Sequence, residues 1–326
     1  MKLKSMIFTL IMIISIFLSG CSEEQSVSDD KISIYTTIYP LEFFTEKIGG
    51  EHISVSSIIP PGADAHTFEP TARTMTQIAE ADGFIYTGIG LEGFVDAVTE
   101  SLSKEKVAFI AAGDGIDLHS EEVVQDHEED DHAHEEENHD HEESASHDDH
   151  DHGDVDPHVW IDPILSISLA ENIKEALIKL APEHTEEFEQ SFLALKEELE
   201  ALDQEFQQAV SSAAHHEILV SHAAYGYWES RYGIEQISVT GLSPTQEPSQ
   251  RQLQTIIETA KEHDIKYILF EQNVTGKVAE VVKKEIGAEA LMLHNLESLT
   301  DDDLQNNEDY LSLMRKNIET LQKAMK

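Results

Sequence analysis

The chain has 326 residues, with 65 acidic against 21 basic side chains and a formal net charge of −44 at pH 7. So strong an acidic balance excludes nucleic acid as an expected partner. A hydrophobic content of 40% with 16 Gly and 9 Pro describes a folded body, and the single cysteine rules out an intramolecular disulfide and any cysteine-built zinc site.

At the start of the chain, Lys2 and Lys4 precede an apolar run of 13 residues, Met6 to Leu18, and the sequence continues Ser19-Gly20-Cys21. This pattern predicts a secretory signal over residues 1–20, because the run is too short for a transmembrane helix. The small residues before Cys21 resemble the lipobox of bacterial lipoproteins. That resemblance implies removal of the signal and acylation of Cys21, which would anchor the chain on the outer face of the cytoplasmic membrane. Two or more acyl chains suffice for such an anchor. The polar stretch 21–31 would serve as a tether.

Beyond the tether, β-rich runs alternate with helical segments, and they do so twice. Strands are predicted at Ile32 to Thr37, Ile53 to Ile59, Gly83 to Thr87 and Val107 to Ala111, separated by helices near Leu41 to Ile48, Ala72 to Ala81 and Glu92 to Leu102. A second series places strands at Glu217 to Ser221, Ile234 to Val239, Tyr267 to Phe270 and Ala290 to Leu293. Helices near Ala224 to Arg231, Gln250 to His263, Gly276 to Ile286 and Asp309 to Ala324 accompany them. The fold class is therefore α/β, with two lobes each built on a mostly parallel sheet flanked by helices. Between them Phe188, Phe192, Leu195, Leu199, Leu202 and Phe206 recur at helical spacing as one apolar stripe, predicting a helix from about Thr185 to Ser211. The expected organisation is an N-terminal lobe over 32–181, a linking helix over 182–212 and a C-terminal lobe over 213–326. An ordinary core helix within one domain is the alternative for the middle segment.

Residues 121–156 interrupt the first lobe with 18 Asp or Glu, 8 His and no Lys or Arg. So little apolar area beside so much charge predicts a disordered insertion. The histidines are His127, His132, His134, His139, His141, His147, His150 and His152. Imidazoles scattered among carboxylates offer weak, exchangeable auxiliary ligands for Zn²⁺, Cu²⁺ or Ni²⁺. An inert solubilising loop would need Asp and Glu alone.

A fixed site is expected elsewhere, since ligands of open α/β sheets bind beyond the carboxyl ends of the strands. His66 follows the second strand, His158 lies in DPHVWIDP, His222 follows EILVS and Glu271 ends KYILF. Three neutral imidazoles and one carboxylate form a four-coordinate set that Zn²⁺ accepts. His294 ends a strand and could approach the same cleft, while Glu69, Tyr225 and Tyr227 are candidates to support the ligands.

The segments YPLEFFTEKIGG, IIPPGADAHTFEP, DPHVWIDP, VSHAAYGYW and GLSPTQEPSQRQL closely resemble the zinc-uptake, ZnuA-type branch of the metal-binding lipoproteins that serve ABC transporters. The resemblance runs from about Ile32 to the C-terminus. It implies two α/β lobes joined by one long helix (the cluster A-I fold) and a monomer that binds Zn²⁺ in the interlobe cleft. Delivery to a membrane permease driven by cytoplasmic ATPase subunits is also implied. His66, His158 and His222 carry over as ligands inside their motifs. In the related manganese-binding branch the third ligand is usually Glu and the fourth Asp, so His222 with Glu271 favours zinc over manganese; water is the alternative fourth ligand.

Two other classes are weighed against carriage. A secreted zinc hydrolase would need an activated water and a general base. No HExxH is present: His127-Glu128, His134-Glu135 and His141-Glu142 are followed by Asp131, Asn138 and Ala145 where the second His belongs. A closed four-ligand site argues for a non-enzymatic carrier over a hydrolase. A surface adhesin or metal-storage protein would share the lipid anchor and differ in lacking transport coupling.

Overall fold

A computed structural model of the chain describes residues 31–118, 155–272 and 276–326. The expected signal, Cys21, the tether up to residue 30 and all eight loop histidines lie outside the described residues. The described residues from Ile32 to Lys326 form one compact unit.

The first sheet comprises β1 (Ile32–Thr36), β2 (Ile53–Ser57), β3 (Gly83–Tyr86) and β4 (Ala108–Ala111), in the order β2-β1-β3-β4. The second comprises β5 (Glu217–His222), β6 (Glu235–Thr240), β7 (Tyr267–Phe270) and β8 (Glu289–Met292), in the order β6-β5-β7-β8. Every pairing is parallel. The order reverses at β1 in one sheet and at β5 in the other, which opens a crevice beyond their carboxyl ends. In the first sheet that crevice is closed by Glu92, whose buried carboxylate accepts hydrogen bonds from the Thr37 hydroxyl and from the backbone N–H and hydroxyl of Thr87. In the second it holds His222.

Connecting the strands are α1 (Tyr39–Gly49), α2 (Ala72–Glu80), α3 (Val95–Ser101), α4 (Pro163–Leu180), α5 (Thr185–Ser211), α6 (Gly226–Tyr232), α7 (Gln250–Glu262), α8 (Lys277–Ile286), α9 (Asp301–Gln305) and α10 (Tyr310–Ala324). Local chemistry accounts for several starts. Pro163 occupies the first turn of α4 behind Asp162, whose carboxylate accepts from the Ile164 and Leu165 N–H groups. A capping box of Ser249 and Gln252 opens α7. Helix α3 begins three residues later than the hydrophobic pattern predicts, because Glu92 is folded inward to bind Thr37 and Thr87. Helix α9 is only five residues long, too short to leave a periodic signal.

Helix α5 has the predicted limits, and its six-residue stripe is buried throughout. It packs on α1 and α4 from the first half and on α10 from the second. One continuous apolar cluster includes Phe44, Ile85 and Leu177 together with Val220, Trp228 and Leu293, so a shared core joins the two sheets. Two indoles also bond across the halves: Trp160 Nε1 donates to Asn295 O at 2.7 Å, and Trp228 Nε1 donates to Ile161 O at 2.8 Å. Both indoles are fully buried, where an unmet N–H would cost about 1–3 kcal/mol. They therefore fix the register of one half on the other. Among the described residues no helix is long and apolar enough to cross a membrane.

Candidate metal centre

Three of the four candidate donors arrive from loops, and the fourth, His222, from the end of a strand. After β2 the chain turns through Pro60-Pro61-Gly62, where Gly62 has φ +78°, a value that suits glycine. Asp64 then holds the next turn by accepting from the His66 N–H at 2.9 Å and the Thr67 hydroxyl at 3.1 Å. His158 is fixed by Asp156 Oδ1, which accepts from its backbone N–H at 2.9 Å and from Nδ1 at 2.7 Å. His222 is the last residue of β5, and its Nδ1 lies 2.5 Å from Glu271 Oε1. With a carboxylate on each Nδ1, the rings of His158 and His222 carry their proton there and present Nε2 as a lone pair.

Those Nε2 atoms converge. His66 Nε2 is 3.2 Å from His158 Nε2, which in turn is 3.4 Å from His222 Nε2. Glu297 Oε1 completes the group, 3.4 Å from His66 Nε2 and 3.9 Å from His158 Nε2. All four donor atoms lie within 4.8 Å of one another. A tetrahedral zinc with bonds of about 2.0–2.1 Å has ligand-to-ligand edges of about 3.3–3.4 Å, so three of these separations are close to coordination edges. Glu297 Oε1 is buried without a hydrogen-bond partner, although Oε2 of the same carboxylate accepts from the Ala65 N–H at 3.2 Å. A buried anionic oxygen facing three imidazole nitrogens is the donor set that a divalent cation satisfies.

Charge at the centre follows from burial and neighbours. Burial opposes ionisation of Glu297, but the close approach and charge of His66, with His158 and His222 behind it, outweigh that and hold its carboxyl down at about 2. Burial lowers His158, only partly offset by Asp156. For His222 burial also lowers the pKa, but Glu271 more than reverses it, and the net shift is upward. Only His66 has any side-chain exposure, 8% against 0% for the other two, so it forms the outer side of the group.

The structure brings the Nε2 atoms of His66, His158 and His222 together and sets Glu297, rather than Glu271, against them. Parallel pairing of β5 with β7 matches Val220 to Leu269, so Glu271 falls beside His222 on the neighbouring strand. It reaches the nearer ring nitrogen, and its other oxygen accepts from Asn295 Nδ2 at 2.8 Å. Glu297 instead sits on the loop after β8, which crosses to the first half: Tyr39 N–H donates to Glu297 O at 3.0 Å and Gly62 N–H to Leu299 O at 2.9 Å. One hint was available, a second acidic residue just after a predicted strand end, but no periodicity singled it out. His294 does not join the group; its Nδ1 accepts from the Leu296 N–H and its Nε2 lies 3.2 Å from Asp303. Tyr227 supports the centre at one remove, donating to Asp156 O at 2.6 Å, whereas Glu69 is exposed.

The family model described as "Zinc-uptake complex component A periplasmic" (ZnuA) matches residues 34–324. The chain belongs to the ZnuA family. Among its curated relatives, the zinc-binding lipoprotein AdcA of Streptococcus pneumoniae serotype 4 is 35% identical over 95% of this chain, which spans only 59% of that protein's length. The high-affinity zinc uptake system protein ZnuA of Bacillus subtilis is 33% identical over 91% of this chain and 88% of its own. The solved Zn(II)-bound ZnuA-like domain of Streptococcus pneumoniae AdcA superposes with a TM-score of 0.71 at 32% identity, covering 90% of this chain and 99% of the domain. The ZnuA fold of two four-stranded parallel sheets and a long helix is thus common to this chain and that domain.

Proton competition makes a direct prediction. Zinc needs all three imidazoles neutral at Nε2, and His222 keeps its proton to a higher pH than an ordinary histidine. Apparent zinc affinity should therefore begin to fall above pH 6.5 and continue down at lower pH as His158, whose pKa is lowered, protonates, by about tenfold per pH unit for each proton displaced. Isothermal calorimetry in buffers of different ionisation enthalpy measures the protons released. An affinity flat between pH 8 and 6 would contradict this coordination.

Proposed function

We propose that the chain is a lipid-anchored, extracytoplasmic carrier that captures Zn²⁺ through His66, His158, His222 and Glu297 and passes it to an ABC permease with its cytoplasmic ATPase. The observation that carries the reading is the convergence of three lone-pair nitrogens and one unpartnered carboxylate oxygen at near-coordination spacing. Three nitrogen donors favour Zn²⁺ over Mn²⁺, which suits oxygen-rich octahedral sites. With the metal, the four ligands leave a net charge near +1. Carriage rather than hydrolysis is supported by the donor set itself: four protein ligands fill a tetrahedral zinc and leave no position for an activated water. Anchoring at Cys21 rests on the lipobox-like sequence, and the auxiliary metal role of the histidines between His127 and His152 rests on composition.

Elemental analysis of protein purified without added metal, followed by Zn²⁺ against Mn²⁺ competition, tests the reading. Deleting residues 121–154 should leave one tight zinc per chain while lowering the total bound. Loss of the tight site with the loop would move the assignment out of the cleft.

A further inference from the structure

A second group of ligand atoms lies on the opposite edge of the first sheet. His52 precedes the amino end of β2, whereas the cleft donors lie beyond the carboxyl ends of the strands. Strand β2 alone, at about 3.3 Å for each of its five residues, spans about 16 Å between those edges. His184 is the residue before α5, and Glu187 stands three residues later in its first turn, so the two share a helix face. The His52 and His184 rings stack with centroids 3.6 Å apart and planes 19° from parallel. Glu187 Oε2 lies 2.6 Å from His52 Nε2. One donor atom from each residue lies within 4.8 Å of the others. No hydrogen-bond partner to the His184 ring is present among the described residues. Phe188, one turn along, closes the inner side of both rings, with centroids 6.1 Å from His52 and 6.0 Å from His184.

We propose that His52, His184 and Glu187 form a second, exchangeable Zn²⁺ site that joins the turn before β2 to the start of the long helix. Two imidazoles and a carboxylate are a recurrent zinc set, and three protein ligands leave a position for water, so this site should bind more weakly than the enclosed cleft. Binding replaces the proton between His52 and Glu187. Nitrogen and oxygen must then separate from 2.6 Å to about 3.3 Å, and the two rings must tilt out of their stack, because an imidazole lone pair lies in its ring plane; these movements are open to Glu187, whose side chain is 64% exposed, and to His52 and His184, both only partly buried. The negative first turn of α5, with Glu186 beside Glu187, adds to the attraction for a cation. The proposal does not depend on the assignment of the cleft.

The test uses the full mature chain with one equivalent of Zn²⁺ already bound, titrated with further Zn²⁺ and labelled with diethyl pyrocarbonate, each histidine being read by mass spectrometry. His52 and His184 should lose reactivity together, at one zinc midpoint. Glu187→Gln, which keeps shape and removes charge, should raise that midpoint at least about tenfold while leaving the midpoints of His127 to His152 unchanged. A zinc-independent rate at either residue, separate midpoints, or an unchanged midpoint in Glu187→Gln would overturn the site and leave an ordinary histidine–carboxylate pair. Thermal unfolding of the variant without metal confirms that its fold is intact.

Discussion

His158→Ala should abolish tight zinc binding, lowering affinity by more than about 100-fold, and His66→Ala and His222→Ala should come close to it. Losing even a residue that only orients a ligand costs about 10–100-fold, and here a strong nitrogen donor is removed outright. His158 is the most demanding position because its Nε2 neighbours those of both other histidines and its ring is fully buried, leaving no room for a side chain from elsewhere to substitute. In zinc-limited cells the three variants should fail to support growth, whereas alanine at any single histidine between His127 and His152 should be tolerated. Wild-type growth and binding by His222→Ala would remove it from the site, and with it the argument for zinc over manganese.

Glu297 and Glu271 should separate in a paired experiment. Glu297→Gln removes the only anionic donor and raises the charge of the loaded centre from about +1 to about +2, so affinity should fall by on the order of 100-fold. X-ray absorption of the zinc-loaded variant should show an altered ligand shell. Glu271→Gln keeps an oxygen that can still accept from His222 Nδ1, and Asn295 remains beside it. Its affinity should fall less, by about tenfold, with the ligand shell unchanged. Stability should move the same way: the surroundings that hold the Glu297 carboxyl at about 2 favour its ionised form in the fold, so the metal-free Glu297→Gln protein should unfold at a lower temperature than wild type at neutral pH. A Glu271→Gln variant that loses an oxygen ligand, beside a Glu297→Gln variant that binds normally, would return the fourth position to Glu271.

The alternation of strands and helices, the stripe from Phe188 to Phe206 and the three histidines were all legible in the chain, because each is a local signal. Period-two and period-3.6 patterns record which face of an element is buried, and the end of a strand is visible wherever such a pattern stops. Helix α5 could be delimited to the residue for that reason. Two features depended instead on how distant segments meet. The late start of α3 follows from Glu92 turning in to hydrogen-bond Thr37, 55 positions earlier. The exchange of Glu297 for Glu271 follows from strand order: β5 and β7 are neighbours, so Glu271 is held beside His222, while the loop after β8 is tied by backbone hydrogen bonds to Tyr39 and Gly62 and faces His66 from across the cleft. Pairing order and loop crossing are relations between segments from about 50 to more than 200 residues apart, and no short window of sequence contains them. Residue type and strand ends determined what the donors could be; tertiary packing decided which carboxylate faces the three imidazoles and which one holds His222.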